Sequence, residues 1–136
     1  MDQKAILTAF LDRIWSQGDA TAVPEFIAAQ YTIHHDPGDP WDGQTLDPAG
    51  FADRLVRSRA AAPDQVFTPV RMLEDGASVA VFWTWAGTHL GDLPGAPATG
   101  RRITMSGATL YDFEDGLLTG HWQIADRLSV WQQIGT

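Results

Sequence analysis

The feature that most constrains the fold is a single change of hydrophobic period near Pro63. Before it, apolar residues recur at helical spacing; after it, they alternate. Ile6, Leu7, Phe10, Leu11, Ile14 and Trp15 make one stripe, which predicts a helix over residues 2–15 ended by Ser16-Gln17-Gly18. Asp19 is placed to cap a second, short helix with Val23, Phe26 and Ile27 as its apolar face. Tyr31 to His35 reads as a short strand, with Tyr31, Ile33 and His35 on one side and Thr32 and His34 on the other. Asp47-Pro48 opens a third helix, in which Phe51, Leu55 and Val56 are expected inward and Asp53, Arg54 and Arg57 outward.

Beyond Pro63 the chain reads as a meander of long strands. Residues 66–74 and 78–89 flank the hairpin signal Asp75-Gly76, and 103–113 and 117 to about 127 flank Asp115-Gly116. Val79, Val81, Trp83 and Trp85 share a face, and Gly107 is expected to mark a bulge. Residues 91–100 form a Gly/Pro loop, and a short tail carries Val130, Trp131 and Ile134. Helices first and strands after predict an α+β domain spanning residues 1–136. Three N-terminal helices would cover one face of a strongly curved antiparallel sheet. Six tryptophans favour a wide apolar interior to the resulting cone.

A formal net charge of -8 argues against a nucleic-acid partner, which needs a basic stripe. Part of that acidity, Asp36, Asp39, Asp42 and Asp47, lies in one Gly/Pro-rich stretch that reads as a solvated loop. The absence of cysteine excludes disulfides and thiolate metal sites. No apolar run approaches the ~20 residues that would span a membrane, and the N-terminus lacks a signal-peptide pattern. A cytoplasmic location is the default expectation.

Asp126 is the first candidate for chemistry. Alternation groups it with Trp122 and Ile124; if that face is interior, burial would tune the carboxylate to exchange a proton near neutral pH. The alternative is that Asp126 pairs with an arginine or caps the turn of the tail. His35 shares the face of Tyr31 and Ile33 and is the inward candidate of the pair His34-His35. His121 has the parity opposite to Asp126 and is expected on the outer face or at a subunit interface. Trp15, Phe51, Trp83, Trp85 and Trp122 are candidates for a flat aromatic wall against a planar ligand, or for plain core. His35, His89 and His121 show no metal-ligand spacing, so no metal is expected, and no nucleophile or phosphate-binding motif is present.

A set of segments then occurs in a familiar order. It includes Val79-Ala80-Val81-Phe82-Trp83-Thr84, Gly87-Thr88-His89-Leu90-Gly91, Pro97-Ala98-Thr99-Gly100-Arg101-Arg102 and Tyr111-Asp112-Phe113-Glu114-Asp115-Gly116. His121-Trp122-Gln123-Ile124-Ala125-Asp126-Arg127-Leu128 and the ending Gln132-Gln133-Ile134-Gly135 complete it, with Gly18-Asp19 and His35-Asp36-Pro37 upstream. The ordered set resembles the SnoaL-like polyketide cyclases over nearly the whole chain. The resemblance implies a cone-shaped α+β barrel like that of nuclear transport factor 2 and ketosteroid isomerase, and a homodimer packed through the outer sheet face. It also implies closure of a polyketide ring by intramolecular aldol condensation, without metal or cofactor. Asp126 matches the family's acid/base aspartate, and His35 matches a pocket histidine. The expected partner is a small apolar or aromatic carbonyl compound. Other readings are an isomerase or hydrolase in the same cone, a binding protein without turnover, and a module that only dimerises.

Overall fold

The computed structural model describes residues 2–135. Helix α1 (Gln3–Phe10) is capped by the Asp2 carboxylate, which accepts from the Ala5 N–H at 2.8 Å. It runs on through a wider, π-type turn, Leu11–Ser16, which keeps Leu11, Ile14 and Trp15 buried. A short 3₁₀ turn (Ala20–Ala22) leads into α2 (Val23–Phe26). Strand β1 (Ile27–His35) is longer than the pattern suggested, and β2 (Thr45–Leu46) pairs with it. Asp47 caps α3 (Pro48–Arg59) by accepting from Gly50 N–H at 2.7 Å. Strands β3 (Val66–Asp75), β4 (Ser78–Thr88), β5 (Arg102–Glu114) and β6 (Leu117–Ala125) follow, and the tail is a fourth helix, α4 (Arg127–Ile134). None of these helices is long and apolar enough to cross a membrane.

The sheet is six-stranded in the order β2-β1-β6-β5-β4-β3. The α+β class stands, but two expectations about the sheet do not. It is mixed, because β1 runs parallel to β6, and it is open, with β2 and β3 as edges, so it does not close into a barrel. The core lies between the sheet's inner face and the helices. Leu7, Phe10 and Ile14 from the first helix, and Phe51 and Leu55 from α3, pack with Ile33, Val79, Val81, Trp83, Tyr111 and Leu118.

Two bulges decide which side chains reach that face. In β6 the register slips opposite Asp112 and Phe113, so that Thr119 is an extra residue. Leu118 faces in, but beyond the bulge it is His121 and Gln123 that point inward, while Trp122 (49% exposed) and Ile124 (71%) point out. In β1 the register slips between Ile33 and His35, which leaves His34 extra. Ile33 and Asp36 are buried, and both His34 and His35 are exposed. Each bulge adds one residue and inverts the parity beyond it. Gly107, by contrast, is no bulge: it pairs directly with Trp83, and a Cβ there would overlap the Trp83 ring.

Candidate active site

An apolar cavity of about 330 Å³ opens under the helices. Its walls include Trp15, Phe67, Trp83, Trp85, Tyr111 and Trp131, with Leu93 and Pro94 of the Gly/Pro loop at its rim. Such a lining suits a small apolar or aromatic ligand. Of the aromatic residues singled out in the sequence, Trp15, Trp83 and Trp85 line the cavity. Phe51 is fully buried behind them, with its ring 6.0 Å from Trp15 and 5.0 Å from Tyr31. Trp122 lies on the opposite face of the sheet, stacked on His34 at 4.9 Å.

One side of the cavity is polar. His121, only 3% exposed, directs Nε2 to the Asp36 carboxylate at 2.9 Å and Nδ1 to the Tyr31 hydroxyl at 2.5 Å. Asp36 is fully buried and also meets Arg127 at 3.0 Å, Arg54 at 3.5 Å and the Gln123 amide at 3.2 and 3.3 Å. Gln123 is held in turn, for its carbonyl accepts from the Thr109 hydroxyl at 2.7 Å, and that hydroxyl accepts from Trp83 Nε1 at 2.9 Å. This chain orients the Gln123 amide with its NH₂ toward Asp36. Asp39, also near the cavity, accepts from Arg54 at 2.9 Å.

The electrostatics follow from these contacts. Burial alone would raise the Asp36 carboxyl, but the His121 hydrogen bond and the charges of Arg127 and Arg54 outweigh it and hold it below the usual carboxylate range. Burial lowers the His121 imidazole; the hydrogen bond to Asp36 opposes this and Arg54 reinforces it, so His121 is neutral near pH 7. A carboxylate only accepts, so Nε2 carries the imidazole hydrogen and Nδ1 accepts from Tyr31 O–H. Burial also pushes the phenols of Tyr31 and Tyr111 upward. The site is therefore a chain, phenol to imidazole to carboxylate, in which a proton arriving at the phenol oxygen can be matched by one passed to Nδ1.

The residues expected to carry the chemistry lie elsewhere. Asp126 is exposed outside the cavity, where its carboxylate accepts from Ser129 N–H at 3.2 Å and caps α4. The Thr119 bulge is the physical reason: it turns the face of Trp122 and Ile124 outward, so the interior carboxylate expected at Asp126 is not there. His35 is exposed because of the bulge in β1, and the inward position falls to its neighbour Asp36. His121, expected outside, is buried. The loop expected to be solvated sends Asp36 and Asp39 inside, and Arg54, expected outward on α3, is buried between them and Trp15 while Val56 is exposed. Strict alternation could not find these residues. The one usable signal was His35-Asp36-Pro37, in which the acidic residue rather than the histidine is turned inward.

Comparison with known proteins agrees with this picture of the fold. The model of the SnoaL-like polyketide cyclase family matches residues 5–134. The aklanonic acid methyl ester cyclase of Streptomyces peucetius is 27% identical over 126 residues, covering 89% of this chain and 83% of that protein. A crystal structure of a protein provisionally described as a polyketide cyclase, from Acidithiobacillus ferrooxidans, superposes with a TM-score of 0.94 at 50% identity, covering 98% of this chain and 94% of that one. IdmH of Streptomyces antibioticus, provisionally described in the same way, superposes with a TM-score of 0.83 at 26% identity over the full length of both chains. With the family match running through all four helices and the whole sheet, this chain belongs to the SnoaL-like polyketide cyclase family.

Proposed function

We propose that this protein is an acid/base enzyme that acts on a small aromatic or apolar carbonyl compound, with His121 as the proton acceptor and Tyr31 as the group that meets the substrate. The observation that carries this reading is the buried Tyr31–His121–Asp36 chain on the wall of an aromatic cavity. A proton beside a carbonyl passes to the Tyr31 oxygen as the phenol's own proton moves to His121 Nδ1. The imidazolium so formed is stabilised by ionised Asp36. In a cyclase-like reaction the resulting carbanion attacks a second carbonyl carbon of the same molecule, one C–C bond forms, and the chain returns the proton to the new alkoxide. The relative from Streptomyces peucetius, a cyclase of aklanonic acid methyl ester, supports this choice of reaction. The cavity's larger contribution is to hold the two ends of the substrate together.

The test is α-proton exchange with deuterium in a bicyclic aryl ketone such as 1-tetralone, followed by NMR. Wild type accelerates exchange over buffer, and His121→Gln or Tyr31→Phe lowers the rate roughly 10²–10⁴-fold. Binding of the ketone with no acceleration would make the protein a binding protein for this class and remove the acid/base reading.

A homodimer through the outer sheet face is part of the same proposal. Phe82, Leu110, Trp122 and Ile124 are exposed there, and the register sets Leu110 beside Trp122 on neighbouring strands, which makes one apolar surface.

A further inference from the structure

Of the two arginines that line the cavity, Arg54 is the less engaged by the proton chain, meeting Asp36 at 3.5 Å where Arg127 meets it at 3.0 Å. Its side chain is only 5% exposed and lines the cavity, with the guanidinium 5.1 Å from the Trp15 ring centre and 5.6 Å from that of Phe51. A guanidinium has five N–H donors. Here Nη2 alone serves the carboxylates, at 2.9 Å from Asp39 and 3.5 Å from Asp36, while Nε is buried with no partner. Among the described residues Nη1 has no hydrogen-bond partner either, and it belongs to a side chain that lines the cavity, so it is the end of the fork left to serve a ligand. Neither carboxylate depends on Arg54 alone. Asp36 already has His121, Gln123 and Arg127, and Arg127 also comes within 4.0 Å of Asp39.

We propose that Arg54 is an oxyanion-binding residue, whose unspent guanidinium donors hold the enolate oxygen of the carbonyl substrate. This rests on the acid/base reading above and narrows the substrate to carbonyl compounds that enolise inside the cavity. Charge balance fits the assignment. With His121 neutral, Arg54 and Arg127 offset Asp36 and Asp39. The proton that leaves the substrate stays on Tyr31 while the phenol's own proton is held on His121, so an enolate and an imidazolium appear together and the site stays neutral overall. Against the aromatic faces of Trp15 and Phe51, away from bulk water, the guanidinium acts more strongly on that oxygen than it would in solution.

The experiment uses a probe that is never turned over. 4-Nitrophenol and its phenolate differ in visible absorbance, so the ionised fraction of bound probe is read directly, at a pH where half of the free probe is ionised. Wild type should raise the phenolate-to-phenol ratio of bound probe about tenfold or more, as a nearby opposite charge does. Arg54→Gln should abolish that rise while still binding 4-nitroanisole. Wild type should also prefer the phenolate to 4-nitroanisole at least about tenfold, and where Arg54→Gln fails to fold, Arg54→Met, uncharged and of similar length, should lose that preference. Absence of preference in wild type, failure of the phenolate to bind, or an undiminished rise in Arg54→Gln overturns the proposal. Preference for phenolate with no deuterium exchange into any ketone would leave the oxyanion site standing and remove the acid/base reading. Exchange that depends on His121 without phenolate preference would remove Arg54 alone.

Discussion

His121 shows how much a single residue's setting decides. An exposed imidazole titrates near 6.5, but burial holds this one lower while Asp36, itself below the usual carboxylate range, orients it. Both shifts make the folded state resist protonation more than the unfolded chain does. Stability should therefore fall as pH drops below about 6.5 toward the folded value of His121. A second decline should follow below about 3.9, where an unfolded Asp36 would already be protonated. Urea unfolding of wild type and His121→Gln between pH 7.5 and 5 checks the first step: wild type should lose more stability over that range than the variant does. Equal losses in both would mean that His121 does not hold its low value.

At the scale of elements, the bulges in β1 and β6 matter more than any motif. One extra residue in each strand brings Asp36, His121 and Gln123 to the same side and sends His35, Trp122 and Ile124 to the other. The end of β6 then gives way to α4, and Asp126 becomes a helix cap. Asp126→Ala should lower stability by about 1 kcal/mol, the usual effect of losing such a cap, and leave turnover per folded molecule unchanged. Chemical denaturation beside the ketone exchange assay measures both. A loss of exchange with no loss of stability would return Asp126 to the chemistry.

The sheet has two apolar faces in different settings. The inner face closes a core with the helices and leaves a cavity lined by Trp15, Trp83 and Trp85. The outer face keeps Phe82, Trp122 and Ile124 in solvent in a single chain. If two copies cover that face, a charge at its centre is costly, because it is taken out of water among apolar side chains. Ile124→Glu should shift the protein from dimer to monomer in sedimentation velocity while the far-UV spectrum stays unchanged. A wild type that sediments as a monomer, or a variant that stays dimeric, would show that this face is not the interface.

Strand β2 and helix α4 were read as loop and tail, but the three earlier helices, the four long strands after Pro63, the Asp47 cap, the Asp75-Gly76 hairpin and the inward face of Val79, Val81, Trp83 and Trp85 were legible in the chain. They depend on local spacing and turn chemistry, which neighbouring residues set by themselves. The ordered segments also carried the family. Only the tertiary structure decided the site. Whether a strand carries an extra residue depends on the register of the strand beside it, so Thr119 and His34 could not be recognised as bulges by alternation. Whether Arg54 turns inward depends on carboxylates far away in sequence: Asp36 and Asp39 reach it only after the loop folds back over the cavity. A charge is buried where its partners are, and those partners meet only in three dimensions.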